Sequence, residues 1–270
     1  MSEVTAVRGL TSRSGRAMRL YRVRVAGRAA LSPHLVTISL AGDDLRHFVS
    51  EGPDQRVKVL LPQPGQAEPA VDDDMTPRGI LGLPEDVRPV MRTYTVRRHR
   101  PAERQVDIDF VLHEDGGPAS RWAATAAMGD ALALWGPVSA YQPAPGCRWQ
   151  LLVGDETALP AIGAIVEALP AGVRAEVIVE VSDAADEQRW ATAGDVRVTW
   201  LHRDGSEDAV LAAVSSVDIP ADAPRCYAWI AGEQSMARAV RAHLVQDRRF
   251  DREDVYFSGY WRRGKSENED

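Results

Sequence analysis

The sequence predicts two unlike halves: a closed antiparallel β-barrel capped by one helix, then a doubly wound α/β domain around a parallel sheet. Three observations carry this. The first half of the 270-residue chain is a run of strand-like segments with a single helical pattern late in it. From about residue 148 onward, strand and helix patterns alternate one for one. Between the two lies "QPAPGCR", a proline-rich hinge of the kind that separates domains. The implied domains are residues 17–143 and 148–265.

The elements follow in order. "LYRVRVAGRAAL" and "HLVTISLAG" alternate or run apolar with β-branched residues, as strands do. "QRVKVLLP" is a third strand, closed by Pro62. The segment from there to "EDVRP" is rich in proline, glycine and aspartate, and it predicts a long loop too polar to pack well. "MRTYTVRR" is the next strand. "QVDIDFVLHE" puts Ile108, Phe110 and Leu112 on one face and Asp107, Asp109 and His113 on the other. "ASRWAATAAM" is the one helix and "DALALWGP" the sixth strand. Six antiparallel strands with a late helix predict a barrel closed on itself, which leaves no open edge. In the second half, "WQLLVGD" is a short buried strand. "TALPAIGAIVEALP" is a helix apolar nearly all round, and Pro160 is tolerated in its first turn. "RAEVIVEVSD" runs apolar without alternation, as a parallel strand covered on both faces does. "VRVTWLHR", "DAVLAAVSS", "CYAWIAG", "QSMARAVRAHLVQD" and "DVYFSGYWRRG" continue strand and helix in turn.

Composition removes several classes of function. The formal net charge is -7, which disfavours nucleic acid as a partner. No run of 18 apolar residues exists, so no membrane insertion is expected, and the first residues have no apolar core of a secretory signal. Cys147 and Cys226 have no metal-ligand spacing, and the six histidines show no H-x-x-x-H pattern, so no protein-bound metal is expected. Reduced thiols fit a cytoplasmic protein. The positive charge is uneven. Arg97, Arg98 and Arg100 form one cluster; Arg262, Arg263 and Lys265 form another, just before an acidic tail. Such runs are either solvated faces or docking surfaces.

A barrel followed by a nucleotide-type domain suggests two cofactors, a flavin on the first half and a nicotinamide on the second. In "MRTYTVRR", Arg92 offers a planar fork for a diphosphate, Tyr94 a ring to lie against an isoalloxazine, and Thr95 a hydrogen bond to its edge. Strict alternation puts Thr95 on the face opposite Tyr94, so its contact needs the backbone or a kink in the strand. "HEDGGPASRW" opens a helix with glycines and a proline, so the amides of Ala119 and Ser120 are suited to phosphate oxygens. "LLVGDETALPAI" is the first strand-to-helix turn of the second domain, where ligands of open α/β sheets bind; Asp155 and Thr157 there either meet the ligand or cap the helix. It lacks G-x-G-x-x-G. "AGEQSMARAV" repeats the arrangement with Gly232 and Glu233, with the same alternatives. "SGYWRRGK" ends the structured chain with two aromatics and three cations.

"RTYTVR", "DFVLHEDGGPASRWA", "GDALALWGP", "LLVGDETALPAI", "WIAGE" and "GYWRRGK" occur in the order found in the siderophore-interacting protein family, and residues 17 to 265 resemble it. Those proteins look like FAD-dependent ferric-siderophore reductases built on the ferredoxin–NADP reductase plan. The resemblance implies that Arg92, Tyr94 and Thr95 hold the FAD diphosphate and ring. His113 and the backbone around Val111 would lie along the same cofactor, with Ala119 and Ser120 at its phosphates. It places Asp155, Thr157, Gly232 and Glu233 on the nicotinamide side. Tyr260, Trp261 and Arg262 would close the flavin pocket. A ferric siderophore is the implied partner. Catecholate chelates are often anionic, so Arg97, Arg98, Arg263 and Lys265 are expected to steer them. NADPH or NADH is the implied donor, with a ferredoxin as the alternative. Asp183, Asp186 and Glu187, at the end of the second parallel strand, suit the ribose hydroxyls of NADH, and Arg189 offsets them. No acid–base catalytic residue is expected, because the cofactor carries the chemistry. The competing readings are a general NAD(P)H–flavin reductase with a non-iron acceptor and a siderophore-binding carrier without turnover.

Overall fold

The chain's computed structural model describes residues 18–73, 75–113, 116–206, 208–220 and 226–264. Six strands come first: β1 (Arg19–Ser32), β2 (Leu35–Ala41), β3 (Arg56–Leu61), β4 (Val90–Arg100), β5 (Gln105–Val111) and β6 (Ala131–Val138). They close into an antiparallel barrel in the order β1-β2-β5-β4-β3-β6, with β6 returning to β1. Alternation fixes what faces inward: Val23, Ile38, Val57, Ile108, Phe110 and Leu134 all belong to one buried core. The loop before β4 holds a short helix, α1 (Pro77–Leu81), and α2 (Pro118–Thr125) covers the barrel by burying Ala119 and Ala123.

One expectation about the barrel needs correction. The segment after β3 is not too polar to pack. Thr76 caps α1 by accepting from the Gly79 N–H at 3.3 Å, and Pro77 sits in the first turn. That small helix drives Ile80 into a cluster with Leu60 and Ala133 on the outside of the barrel. The same loop also answers the basic β1, because Asp73 pairs with Arg22 and Glu68 with Arg24. The polar face of β5 is closed to water at two positions. Asp107 and Asp109 are buried, bonded to Ser39 at 2.7 Å and Thr37 at 2.6 Å on the neighbouring β2. Burial pushes the Asp109 carboxyl above its usual range, opposed by the Thr37 bond and the nearby Arg97.

The second half is a five-stranded parallel sheet of β7 (Trp149–Asp155), β8 (Arg174–Val181), β9 (Asp195–His202), β10 (Cys226–Glu233) and β11 (Val255–Trp261), in the order β11-β10-β7-β8-β9. The chain winds outward from β7 to β9, then crosses over to β10 and β11. The switch point therefore lies between β7 and β10. One face packs on α3 (Leu159–Ala168) and the other on α4 (Ala209–Ser215) and α5 (Gln234–Gln246). The all-round apolar character of α3 has a direct cause: it lies between the sheet and the barrel. Leu35 and Val111 of the barrel share its core cluster, and Arg97 of β4 forks onto Glu167 with two bonds of 2.7 Å. Among the described residues, no helix is long and apolar enough to cross a membrane.

Candidate functional site

Asp155 ends β7 at the switch point. It is 3% exposed. Its Oδ1 accepts from the Thr157 N–H at 2.9 Å and from the Thr157 hydroxyl. Its Oδ2 accepts from the Glu233 N–H at 2.7 Å and from Trp261 Nε1 at 2.8 Å. One carboxylate thus ties the ends of β7, β10 and β11. Gly232 makes the approach possible: its φ is +138°, and a Cβ there would sit 2.5 Å from Asp155 Oδ2. Glu233 is the N-cap of α5, accepting from the Ser235 and Met236 N–H groups, and it also receives the Arg263 N–H at 3.3 Å. Thr157 does not cap α3, whose N-cap is Ala158.

Burial, with Glu156 beside it, pushes Asp155 up to about 6 from an ordinary 3.8. Glu156 is itself buried and is held by both Nη atoms of Arg203, at 3.0 and 2.6 Å. Between these two values of pH the folded chain binds more protons at Asp155 than the unfolded chain does. This group's contribution to stability therefore grows as pH falls through 6. The stability difference between wild type and Asp155→Asn, measured by urea titration, is expected to widen from pH 7 to pH 5 and stay flat above 7. A difference that is flat throughout would reject this account.

On the barrel, Arg92 and Tyr94 lie opposite Val59 and Val57 of β3, while Thr95 lies opposite Arg56. The Tyr94 ring packs on Phe110 at 4.2 Å between centroids, and Phe110 in turn meets Trp122 of α2 at 5.6 Å. This aromatic chain joins the R-x-Y-T strand to the helix. Arg92 Nη1 donates to the Met91 carbonyl at 2.8 Å. Thr95 and Val96 are both buried; the β3–β4 register is unbroken through Thr95, so it faces away from Tyr94, and the irregularity in the β4–β5 pairing comes after it, between Val96 and Arg98.

The start of α2 is shaped for an anion. Gly117 at the N-cap offers no side chain, Pro118 has no N–H, and no acceptor among the described residues takes the Ala119 or Ser120 amide. His113 is exposed, and its N–H donates to Ser120 Oγ at 3.2 Å, which leaves the Ser120 hydroxyl proton available. A Cβ on Gly116 would fall 2.5 Å from that Oγ, so the turn is as tight as it can be. Val111 is held in the β2–β5 ladder opposite Leu35.

Tyr260 and Trp261 join the two groups, because neighbours on a strand point to opposite sides. Trp261 reaches Asp155, whereas the Tyr260 hydroxyl is buried against the barrel. Among the described residues that hydroxyl makes no well-directed hydrogen bond, with Thr95 and Arg56 as its polar neighbours. Burial raises the Tyr260 phenol far above its ordinary value, against the pull of Arg56, so it stays neutral. An orphaned phenol beside Thr95 and uncapped amides at α2 both fit a flavin nucleotide.

Of the cations expected to steer a chelate, Arg97 is engaged within the fold. Arg97 is held by Glu167 in the last turn of α3, while Trp261 is tied in ahead of the first turn; ten helical residues separate these ends by about 15 Å. Arg98, Arg262 and Arg263 are exposed, and Lys265 lies outside the described residues. The acidic residues after β8 are also engaged. Asp186 is buried against Ser32 and His34 of the barrel, Asp183 accepts from the Ala185 N–H at 2.7 Å, and Glu187 meets His202 at 2.8 Å.

Sequence reasoning missed Asp54, Arg56, Tyr256 and Trp229. Arg56 Nη1 donates to Tyr256 Oη at 2.6 Å, across 200 positions of chain. Asp54, fully buried, accepts from Ser139, from the Ala140 N–H at 3.1 Å and from Trp229 Nε1 at 3.3 Å. The one available signal is a pair of tyrosines, Tyr256 and Tyr260, four apart on a strand and so on one face.

Comparison with known proteins agrees with this geometry. Residues 24–141 match the family model described as siderophore-interacting FAD-binding domain, and residues 147–264 match that of siderophore-interacting protein. The chain is 34% identical to the ferric vibriobactin reductase ViuB of Vibrio cholerae, over 88% of this chain and 87% of that one. It is 33% identical to the NADPH-dependent ferric-chelate reductase of Escherichia coli, over 83% and 85%. A crystal structure of a siderophore utilization protein from T. fusca superposes with a TM-score of 0.81 at 32% identity, covering 93% of this chain and 95% of that one.

Proposed function

Since the chain belongs to the siderophore-interacting protein family, we propose that it is a flavin-dependent ferric-siderophore reductase that uses NAD(P)H. The observation that carries this is the meeting of the uncapped α2 amides, Tyr94 and Thr95 on one side with the Asp155 turn on the other, joined through Tyr260 and Trp261. Bound FAD supplies the exchange of one hydride from NAD(P)H for two single electrons, so two Fe(III) become two Fe(II) with NAD(P)+ and a proton as co-products.

The chain's residues bind and orient. Arg92 and the amides of Ala119 and Ser120 take the diphosphate, with the Ser120 hydroxyl as a further donor. Tyr94, its ring fixed on Phe110, lies along the isoalloxazine, and Thr95 meets its edge. His113 and the Val111 backbone flank the same cofactor. Asp155 sets the β7 and β10 turns at the nicotinamide side, where Thr157, Gly232 and Glu233 stand. Tyr260 shields the ring from water, with Trp261 and Arg262 at the rim. Iron(II) is a poorer match than iron(III) for hard anionic oxygen ligands, so reduction loosens the chelate.

Arg262 and Arg263, exposed beside Trp261, form the docking lip for an anionic ferric chelate, with Lys265 next in sequence and Arg98 as a more distant contributor. NADPH is the donor named for the E. coli relative, and a cytoplasmic location follows from that donor. A ferredoxin is the second possible donor.

A visible spectrum of the purified protein tests the reading. A flavin band that bleaches anaerobically with NADPH or NADH, and returns on adding ferric chelate with Fe(II) caught by a trap, supports it. A colourless protein that takes up no FAD removes it and favours a carrier. Bleaching without Fe(II) favours a general flavin reductase, and bleaching by reduced ferredoxin alone moves the donor. Arg263→Glu with Lys265→Glu is expected to raise KM for an anionic chelate about tenfold at low salt and leave FAD content unchanged. Equal KM values would reject the lip.

A further inference from the structure

Arg56 differs from the other buried or half-buried arginines of the barrel. Arg97 is paired with Glu167, and Arg100 with Asp107 and Glu103. Among the described residues, Arg56 has no carboxylate within ion-pair distance. Its Nη1 instead donates to the neutral Tyr256 hydroxyl at 2.6 Å, and its guanidinium carbon stands 5.8 Å from the centroid of that ring. Asp54, the countercharge that acts on it, is engaged by Ser139, Ala140 and Trp229.

The place of this charge matters. Arg56 lies opposite Thr95 in the β3–β4 ladder, so the two side chains leave the sheet on the same face. The Tyr260 hydroxyl is a neighbour of both. Guanidinium does not lose its proton in proteins, and half-removed from water its field is only partly screened.

We propose that Arg56 is a positioning residue for electron transfer, whose half-buried charge favours the reduced form of FAD held at Thr95. The inference rests on the FAD site proposed above. Reduction adds electron density to the isoalloxazine, and a fixed cation on the Thr95 face lowers the cost of holding it. The alternative role, packing Tyr256 to anchor β11, needs the shape of Arg56 but has no effect through its charge.

The test is the redox equilibrium of the FAD-loaded full chain against a reference dye. Arg56→Gln is expected to shift the ratio of reduced to oxidised FAD about tenfold toward oxidised, roughly 30 mV for a two-electron couple. Arg56→Lys, which keeps the charge, is expected to stay within about threefold of wild type. An unchanged ratio in Arg56→Gln, or an equal shift in both variants, overturns the proposal. Should Arg56→Gln not retain FAD, Arg56→His decides: its difference from wild type is expected to grow as pH rises past about 6.5, where imidazole loses its charge. A constant difference overturns the proposal. Failure of the wild type to bind FAD appears separately, as a colourless protein, and removes the site itself.

Discussion

Replacing Asp155 with alanine is expected to lower stability by about 3–5 kcal/mol, because it strips the acceptor from buried donors and leaves a void. The Thr157 N–H and hydroxyl, the Glu233 N–H and Trp261 Nε1 all point at this one carboxylate. The carboxylate is 3% exposed, so in the wild type these donors depend on it rather than on water. The urea midpoint should fall, and β11 should loosen first, since Trp261 hangs from Asp155 by its indole. Asp155→Asn keeps the shape and one acceptor but turns an N–H toward donors, and it should fall between wild type and Asp155→Ala. Gly232→Ala should mimic the loss with Asp155 itself unchanged, because the new Cβ would lie 2.5 Å from Asp155 Oδ2 and displace the carboxylate. An Asp155→Ala midpoint equal to that of wild type would show that the clasp contributes nothing.

The motif "GDETALPAI" was legible as a turn at the carboxyl end of a strand, but not as a clasp. Its partners, Glu233 and Trp261, are 78 and 106 positions away, and only the strand order brings them together. Local patterns carried the rest of the fold for a plain reason. Apolar alternation fixes the inward faces of the barrel strands, and unbroken apolar runs mark β7 and β8 as covered on both sides. Where the sequence was silent, a distant group had answered a polar residue. Asp107 and Asp109 look like a solvent face until Ser39 and Thr37 of β2 are set beside them by the register. Arg97 looks like part of a basic surface until α3 brings Glu167 across to it, which holds the Glu167 carboxyl below its usual range.

Arg56 shows the same limit more sharply. In "DQRVKVLLP" it is one more charged residue at the mouth of a strand. Its meaning comes from being opposite Thr95 and beneath Tyr256, and both facts depend on long-range pairing. The aromatic residues of β11 were legible as a conspicuous pair, but the split between them was not. One turns to the barrel and the other to the sheet, so the last strand spans both halves of the chain.

Asp54→Ala is expected to cost about 3–5 kcal/mol and, unlike Asp155→Ala, to uncouple the two halves. Asp54 stands just before β3, yet its acceptors serve Ser139 and Ala140 of the connecting segment and the indole of Trp229 in the middle of β10. Removing it leaves the Trp229 N–H buried without an acceptor and Arg56 without its countercharge. The apolar contacts of Leu35 and Val111 with α3 remain, so each half keeps its own core and the loss falls at the junction. Two readouts separate this from general destabilisation: protease should cut the segment following Ala140 before it cuts either core, and the single thermal transition should broaden or split. Asp54→Asn, which still accepts from the indole, should cost less, about 1–2 kcal/mol. If Asp54→Ala lowers the transition as one sharp step with the connecting segment still protected, the junction is held by its apolar contacts and not by this carboxylate.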